Sequence, residues 1–181
     1  VLLFGGSQGA DAVNAAGVDL ARALAGRAGT QLFFVTGERM YDEVSESVLR
    51  AAEGGRPYEH IHIVPYAEKM WELFAVCDLV AARAGALTVT EIAAAGKPSI
   101  LMPSPNVTND HQTFNARVLS DAGAAVLLRD AEAAGGGLAR ETLRLLDDRD
   151  TMMKMGAAAQ KLYLPGAADR IVDGLFGSSE A

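Results

Sequence analysis

Short, uninterrupted apolar runs alternate with amphipathic helical windows along almost the whole chain, and this alternation leaves few folds open. Runs of strand length fall at Val1–Phe4, Gln31–Thr36, Ile61–Val64, Asp78–Ala82, Ser99–Met102 and Ala124–Leu128. Helical periodicity covers Ala10–Leu24, Met40–Ala52, Ala67–Val76, Leu87–Ala95 and His111–Asp121, then Ala139–Leu146, Thr151–Leu162 and Ala167–Phe176. Strands that are apolar on both sides must be covered on both sides, and a helix between consecutive strands makes them parallel. The pattern predicts an α/β fold: a doubly wound, six-stranded, Rossmann-like parallel sheet. Ligands of such sheets lie beyond the C-terminal strand ends, near the point where strand order reverses. The length of 181 residues matches one domain. Residues 1–181 are therefore read as a single domain, with 165–181 a C-terminal helical tail.

The charge balance narrows the partners. A net charge of −7, with no Lys/Arg run, offers nothing to replace the counterions of a nucleic acid. No apolar run reaches the roughly 20 residues that span a bilayer. The single cysteine, Cys77, excludes an internal disulfide and sits beside a buried-strand pattern, as an inert core thiol would. The chain opens on Val1 inside an apparent strand rather than on Met, which reads as a fragment of a longer polypeptide. His60 and His62 alternate with Ile61 and Ile63, so both are expected on one strand face, without a third ligand for a metal. Gly135-Gly136-Gly137 reads as a flexible joint, Met152, Met153 and Met155 as packing residues, and Asp147, Asp148 and Asp150 as a solvated turn.

Three segments carry polar chemistry at predicted strand ends. Gly5-Gly6-Ser7-Gln8-Gly9-Ala10 links strand one to helix one. Its glycines let a ligand approach the backbone, and Ser7 can cap the helix or donate to a phosphate oxygen. A tight turn with a serine cap explains it equally well, and it lacks the Gly-x-Gly-x-x-Gly dinucleotide fingerprint. Arg83-Ala-Gly-Ala-Leu-Thr-Val-Thr-Glu91 leaves a strand and opens a helix at once. The first N–H groups of that helix lack internal partners and carry partial positive charge, so with Arg83 they suit a phosphate. Glu91, one turn on, can accept from two vicinal sugar hydroxyls. The bland alternative is a helix capped by Thr88 or Thr90 with Arg83 at the surface. The third segment, Pro103-Ser-Pro-Asn-Val-Thr-Asn-Asp-His111-Gln112-Thr-Phe-Asn115-Ala116, comes after strand five. Its side chains both donate and accept, as sugar hydroxyls require; a helix capped near Asp110 is the alternative.

Taken together and in this order, the three segments resemble the MurG family, peptidoglycan enzymes that add N-acetylglucosamine (GlcNAc) to lipid I to make lipid II. The resemblance runs over essentially the whole chain and looks like the C-terminal, donor-binding half of a two-domain GT-B glycosyltransferase. It implies UDP-GlcNAc as donor, no metal or other cofactor, and a role in cell wall biogenesis, cell shape and cell division. It also implies a full-length protein peripheral to the cytoplasmic face of the bacterial membrane. The lipid I acceptor, the membrane contact and the base would belong to the N-terminal half, so no catalytic residue is assigned, and this half alone would be soluble and inactive.

Residue by residue, the resemblance implies that Ser7, beside Gln8, contacts the diphosphate and that Ala67 offers its backbone to uracil. Leu87 and Thr88, with Arg83 and the adjoining Val89 and Thr90, would bind phosphate, while Glu91 takes the ribose hydroxyls. The Ala86 backbone with His111, Gln112 and Asn115 would read the GlcNAc hydroxyls; some family members carry Gln-Gln where this chain has His111-Gln112. Two further readings remain open on sequence: the donor-binding subunit of a two-chain GlcNAc transferase, and a related GT-B enzyme such as a UDP-GlcNAc 2-epimerase or glycolipid synthase.

Overall fold

A computed structural model describes residues 1–6, 8–51 and 58–177. Six parallel strands, β1 (Leu2–Phe4), β2 (Leu32–Val35), β3 (Ile61–Val64), β4 (Val80–Ala82), β5 (Ser99–Leu101) and β6 (Ala125–Leu127), form one sheet in the order β3-β2-β1-β4-β5-β6. The predicted doubly wound sheet is present, and strand order reverses between β1 and β4. There Phe4 stands in register with Ala82, so the glycine segment after β1 and the Arg83 segment after β4 leave the sheet as neighbours.

Two layers of helices cover the sheet because alternate strand residues are apolar on both sides. Leu3, Phe34 and Ile100 pack with Val13, Leu20 and Leu24 of α1 (Asp11–Leu24), Val44 and Val48 of α2 (Tyr41–Ala51), and Leu138 and Leu145 further along. Leu2, Phe4 and Leu101 point the other way. They meet Phe74 of α3 (Met70–Val76), Ile92 of α4 (Ala86–Ala95), and Ala116 and Leu119 of α5 (His111–Asp121). Phe34, Leu2 and Leu3 are fully buried, and burial of each such side chain stabilises the fold by about 1.5–3 kcal/mol.

The remaining helices are α6 (Asp130–Ala133), α7 (Gly137–Asp147), α8 (Arg149–Leu162) and α9 (Ala167–Phe176). The expected joint at Gly135–Gly137 is instead a tight turn. Gly135 and Gly136 hold positive φ, and Gly137 is buried against the Glu132 carbonyl, where a Cβ would come within 1.7 Å of the oxygen. The solvated turn expected at Asp147–Asp150 is found, exposed between α7 and α8, and it carries a helix cap. Asp148 caps α8, accepting from the Thr151 N–H at 3.0 Å and the Thr151 hydroxyl at 2.7 Å. These bonds favour the ionised carboxyl and hold its pKa below the usual aspartate value.

His60 and His62 do not share a strand face. His60 precedes β3 and its Nε2 bonds the Leu24 carbonyl at the end of α1, whereas His62 stacks on Phe33 with ring centroids 4.7 Å apart. Cys77 is buried, and burial raises its thiol pKa. Met155 is buried and Met152 packs against the core, but Met153 is exposed. Ala52, the expected end of α2, lies outside the described residues. No helix among the described residues is long and apolar enough to cross a membrane. Along α9 the apolar residues Ile171, Val172, Leu175 and Phe176 are all exposed.

Candidate functional site

Three segments, leaving the C-terminal ends of β1, β4 and β5, assemble the site. After β1, Gly5 and Gly6 lead to an exposed Gln8 and then Gly9; Ser7 lies outside the described residues. Gly9 has φ 73°, and a Cβ there would stand 2.2 Å from the Thr36 carbonyl oxygen. Gly37, with φ 82°, meets the Gly9 nitrogen in the same way at 2.6 Å. The glycine loop is therefore pressed, backbone on backbone, against the end of β2. Asn14 holds the crossing: its Nδ2 donates to the Thr36 carbonyl at 3.0 Å, and the side chain is buried. The helix that begins here has Ala10 at its N-cap and no side-chain cap.

After β4 the chain turns through Gly85, the N-cap of α4, and here too no side chain caps the helix. The first intrahelical bond runs from the Val89 N–H to the Gly85 carbonyl at 3.0 Å, so the N–H groups ahead of it have no partner in the helix. Thr88 and Thr90 are not caps; the Thr90 hydroxyl donates back to the Ala86 carbonyl at 2.9 Å. Ala86, Leu87 and Thr90 are exposed, and Thr88 and Val89 half-buried. Glu91 is half-buried, and burial alone raises its pKa. Among the described residues no positive charge or hydrogen-bond donor acts against that rise, which leaves the carboxylate's acceptor capacity for a ligand.

After β5, Pro103–Asp110 forms an irregular segment in which Asn109 and Asp110 take φ of 56° and 51°. Gln112 Oε1 accepts the Ser104 N–H at 2.9 Å. Its NH2 and the second lone pair of Oε1 remain for a ligand. His111 is exposed with Nδ1 2.9 Å from the Thr108 carbonyl, so Nδ1 carries the proton in that bond. Asn115 donates from Nδ2 to the Ala84 carbonyl at 3.0 Å, tying α5 to the segment ahead of α4. One N–H of that amide is taken up within the protein; its second N–H and its Oδ1 are not used by that bond. Ala67 lies beyond the end of β3, half-buried against the core on the α3–α5 side.

Arg83 departs furthest from expectation. Its side chain is only 10% exposed, and it faces Asp130 rather than open solvent. Nη1 reaches Asp130 Oδ1 at 2.5 Å and Nη2 reaches Oδ2 at 3.0 Å. Nη1 also lies 2.9 Å from the Met102 carbonyl and 3.2 Å from that of Pro103. A buried guanidinium requires such compensation. The sequence reading missed Asp130 because nothing in local periodicity links residues 83 and 130. Asn14 carried a usable signal, being a polar residue on the inward face of α1 between Val13 and Ala16.

A Rossmann-like sheet with two uncapped helix N-termini at its switch point has the architecture of a GT-B glycosyltransferase domain. The family model "Glycosyltransferase family 28 C-terminal domain" matches residues 1–171, and the chain belongs to that family. A UDP-N-acetylglucosamine–N-acetylmuramyl-(pentapeptide) pyrophosphoryl-undecaprenol N-acetylglucosamine transferase of Bacillus cereus is 40% identical over 173 residues, 96% of this chain and 46% of that protein. The enzyme of the same name from Desulforudis audaxviator is 38% identical over the same shares. The crystal structure of Acinetobacter baumannii MurG superposes with a TM-score of 0.78 at 30% identity, covering 95% of this chain and 48% of that one. The glycosyltransferase of kitacinnamycin, at 16% identity and a TM-score of 0.71, shares the fold. The chain spans about half the length of the curated relatives it matches.

Proposed function

We propose that this chain is the donor half of an inverting GlcNAc transferase that converts lipid I to lipid II. Its own task is to bind UDP-GlcNAc and hold the diphosphate at the start of α4. The observation that carries the reading is the pairing of an uncapped, exposed α4 N-terminus with the carboxylate of Glu91 one turn further along. The N–H groups and helix dipole suit a diphosphate, and a carboxylate with unused acceptor capacity suits two ribose hydroxyls. The names of the relatives supply the sugar and the acceptor.

In this reading a hydroxyl of the lipid-linked acceptor attacks the anomeric carbon of the α-linked donor. Its proton passes to a base outside the described residues, a β1,4 bond forms, and UDP departs with the bonding electron pair. Charge grows on the diphosphate as that bond breaks, and fixed N–H donors pointed at it lower the barrier without a metal. Gln112 and His111 hold the sugar, the glycine turn after β1 lines the diphosphate, and the Ala67 backbone faces uracil. Membrane contact belongs to the remainder of a longer polypeptide.

Titration calorimetry tests this directly. UDP and UDP-GlcNAc should bind, with GDP-mannose and uridine far weaker. Absence of UDP binding at millimolar concentration refutes the reading.

A further inference from the structure

Arg83 stands two residues before the N-cap of α4, yet its charge is already met within the protein. Asp130 takes both Nη groups, so the pair is close to neutral and offers little net attraction to an incoming diphosphate. The contacts reach three strand ends. Arg83 itself lies just after β4, the Met102 and Pro103 carbonyls just after β5, and Asp130 beyond β6 at the first residue of α6. Two weaker ties run beside this one: Asn115 to the Ala84 carbonyl, and Gln112 to the Ser104 N–H. One guanidinium thus fixes the α4 N-terminus relative to the Pro103–Gln112 segment.

We propose that Arg83 and Asp130 act as a positioning pair that sets the spacing between a diphosphate subsite at α4 and a sugar subsite at Pro103–Gln112, rather than Arg83 being a phosphate ligand. The proposal rests on the donor-binding reading above. Its consequence is specific. UDP needs only the α4 side, whereas UDP-GlcNAc must meet both sides at once and is sensitive to their separation. Loss of the pair should therefore reduce the advantage of UDP-GlcNAc over UDP. Loss of a phosphate ligand would weaken both nucleotides equally.

Asp130→Asn gives an opposition of sign. If Arg83 held phosphate, removing the nearby negative charge would leave a net positive guanidinium and tighten UDP. If the pair positions, the nearly isosteric amide loses the bidentate ionic grip and UDP-GlcNAc weakens. Calorimetry with UDP and with UDP-GlcNAc should compare the unsubstituted chain with D130N, R83K, R83M and the double variant D130N/R83M. Melting curves identify the temperatures at which each is folded. In D130N and R83M, UDP affinity should stay within about threefold, while UDP-GlcNAc loses about tenfold.

R83K should not rescue, since an ammonium cannot span both carboxylate oxygens. The double variant should be no worse than either single one, because both break the same link. Tighter UDP binding by D130N, or equal losses of both nucleotides in R83M, overturns the proposal. Should R83M not fold, the D130N titration decides alone. If the unsubstituted chain binds neither nucleotide, the donor-binding reading itself fails, an outcome distinct from either result on Arg83.

Discussion

Among the described residues no charge or hydrogen-bond donor offsets the burial of the half-buried Glu91 carboxyl. Its pKa in the fold lies above its unfolded value. The cost of the charge is therefore fully present above the folded pKa, declines as pH falls through it and the group takes up a proton, and is gone below the unfolded pKa. Glu91→Gln should accordingly keep or slightly raise the melting temperature at neutral pH. The same substitution should weaken UDP about tenfold or more, since hydrogen bonds to a charged group contribute about 1.5–3 kcal/mol. A 2′,3′-dideoxyribose analogue should bind both proteins alike, and UDP affinity of the unsubstituted chain should decline as pH drops through the raised Glu91 pKa. Equal losses for UDP and the analogue would show that Glu91 does not touch the ribose. Gln112 needs a paired test because its carbonyl already holds the Ser104 N–H. Gln112→Glu keeps that acceptor and loses the NH2 donors, while Gln112→Ala loses both. Each should weaken UDP-GlcNAc and spare UDP, and narrow the preference over the C4 epimer UDP-GalNAc. A loss confined to Gln112→Ala would assign the residue to loop support alone.

At the scale of elements, the sequence disclosed what is local and withheld what is distant. All six strands and the start of α4 were legible from uninterrupted apolar runs and from a glycine leaving a strand. These are signals contained within a few residues. The Arg83–Asp130 pair joins positions 47 apart, and the crossing of Gly9 over Gly37 joins two turns that each look ordinary alone. Periodicity cannot report either contact. The expected joint at Gly135–Gly137 failed for the same reason: three glycines suggest freedom until Glu132 is found against the third. The crossing has a measurable cost. Gly29 shares a positive φ with Gly9 but has open space around it, whereas Gly9 abuts the Thr36 carbonyl. Gly29→Ala should cost only the left-handed backbone penalty, about 1–2 kcal/mol. Gly9→Ala adds a backbone clash and should cost about 3 kcal/mol or more. Urea midpoints compare them, and equal costs would mean that the loop can lift off β2 without penalty.

Across the whole molecule, the polar loops gather at one edge of the sheet while α9 stays outside the core. Every described residue of α9 whose exposure is known is exposed, apolar ones included. Removing residues 165–181 should shift unfolding free energy by no more than about 0.5 kcal/mol, as for a surface change. A larger loss would mean that the tail is part of the folded unit. The other question at this scale is how much of a reaction the chain can perform. In the donor-binding reading, binding uses the segments after β1, β4 and β5, and all three stand at the switch point between β1 and β4 or beside it. Transfer needs more: an acceptor held within reach of the anomeric carbon, and a base for its hydroxyl proton. Proximity of that kind contributes several kcal/mol to a barrier, and nothing on a donor surface supplies it. The chain covers 46% of the Bacillus cereus transferase, leaving more than half of such a protein to provide those functions. This chain alone should therefore bind UDP and UDP-GlcNAc and release no lipid II from lipid I. The same residues within a polypeptide of the relatives' full length should turn over. Radiolabelled GlcNAc transfer to a lipid I analogue, measured beside calorimetry on the same preparation, separates the two capacities. Turnover by this chain alone would place the base and the acceptor contacts within these 181 residues and overturn the division of labour proposed here.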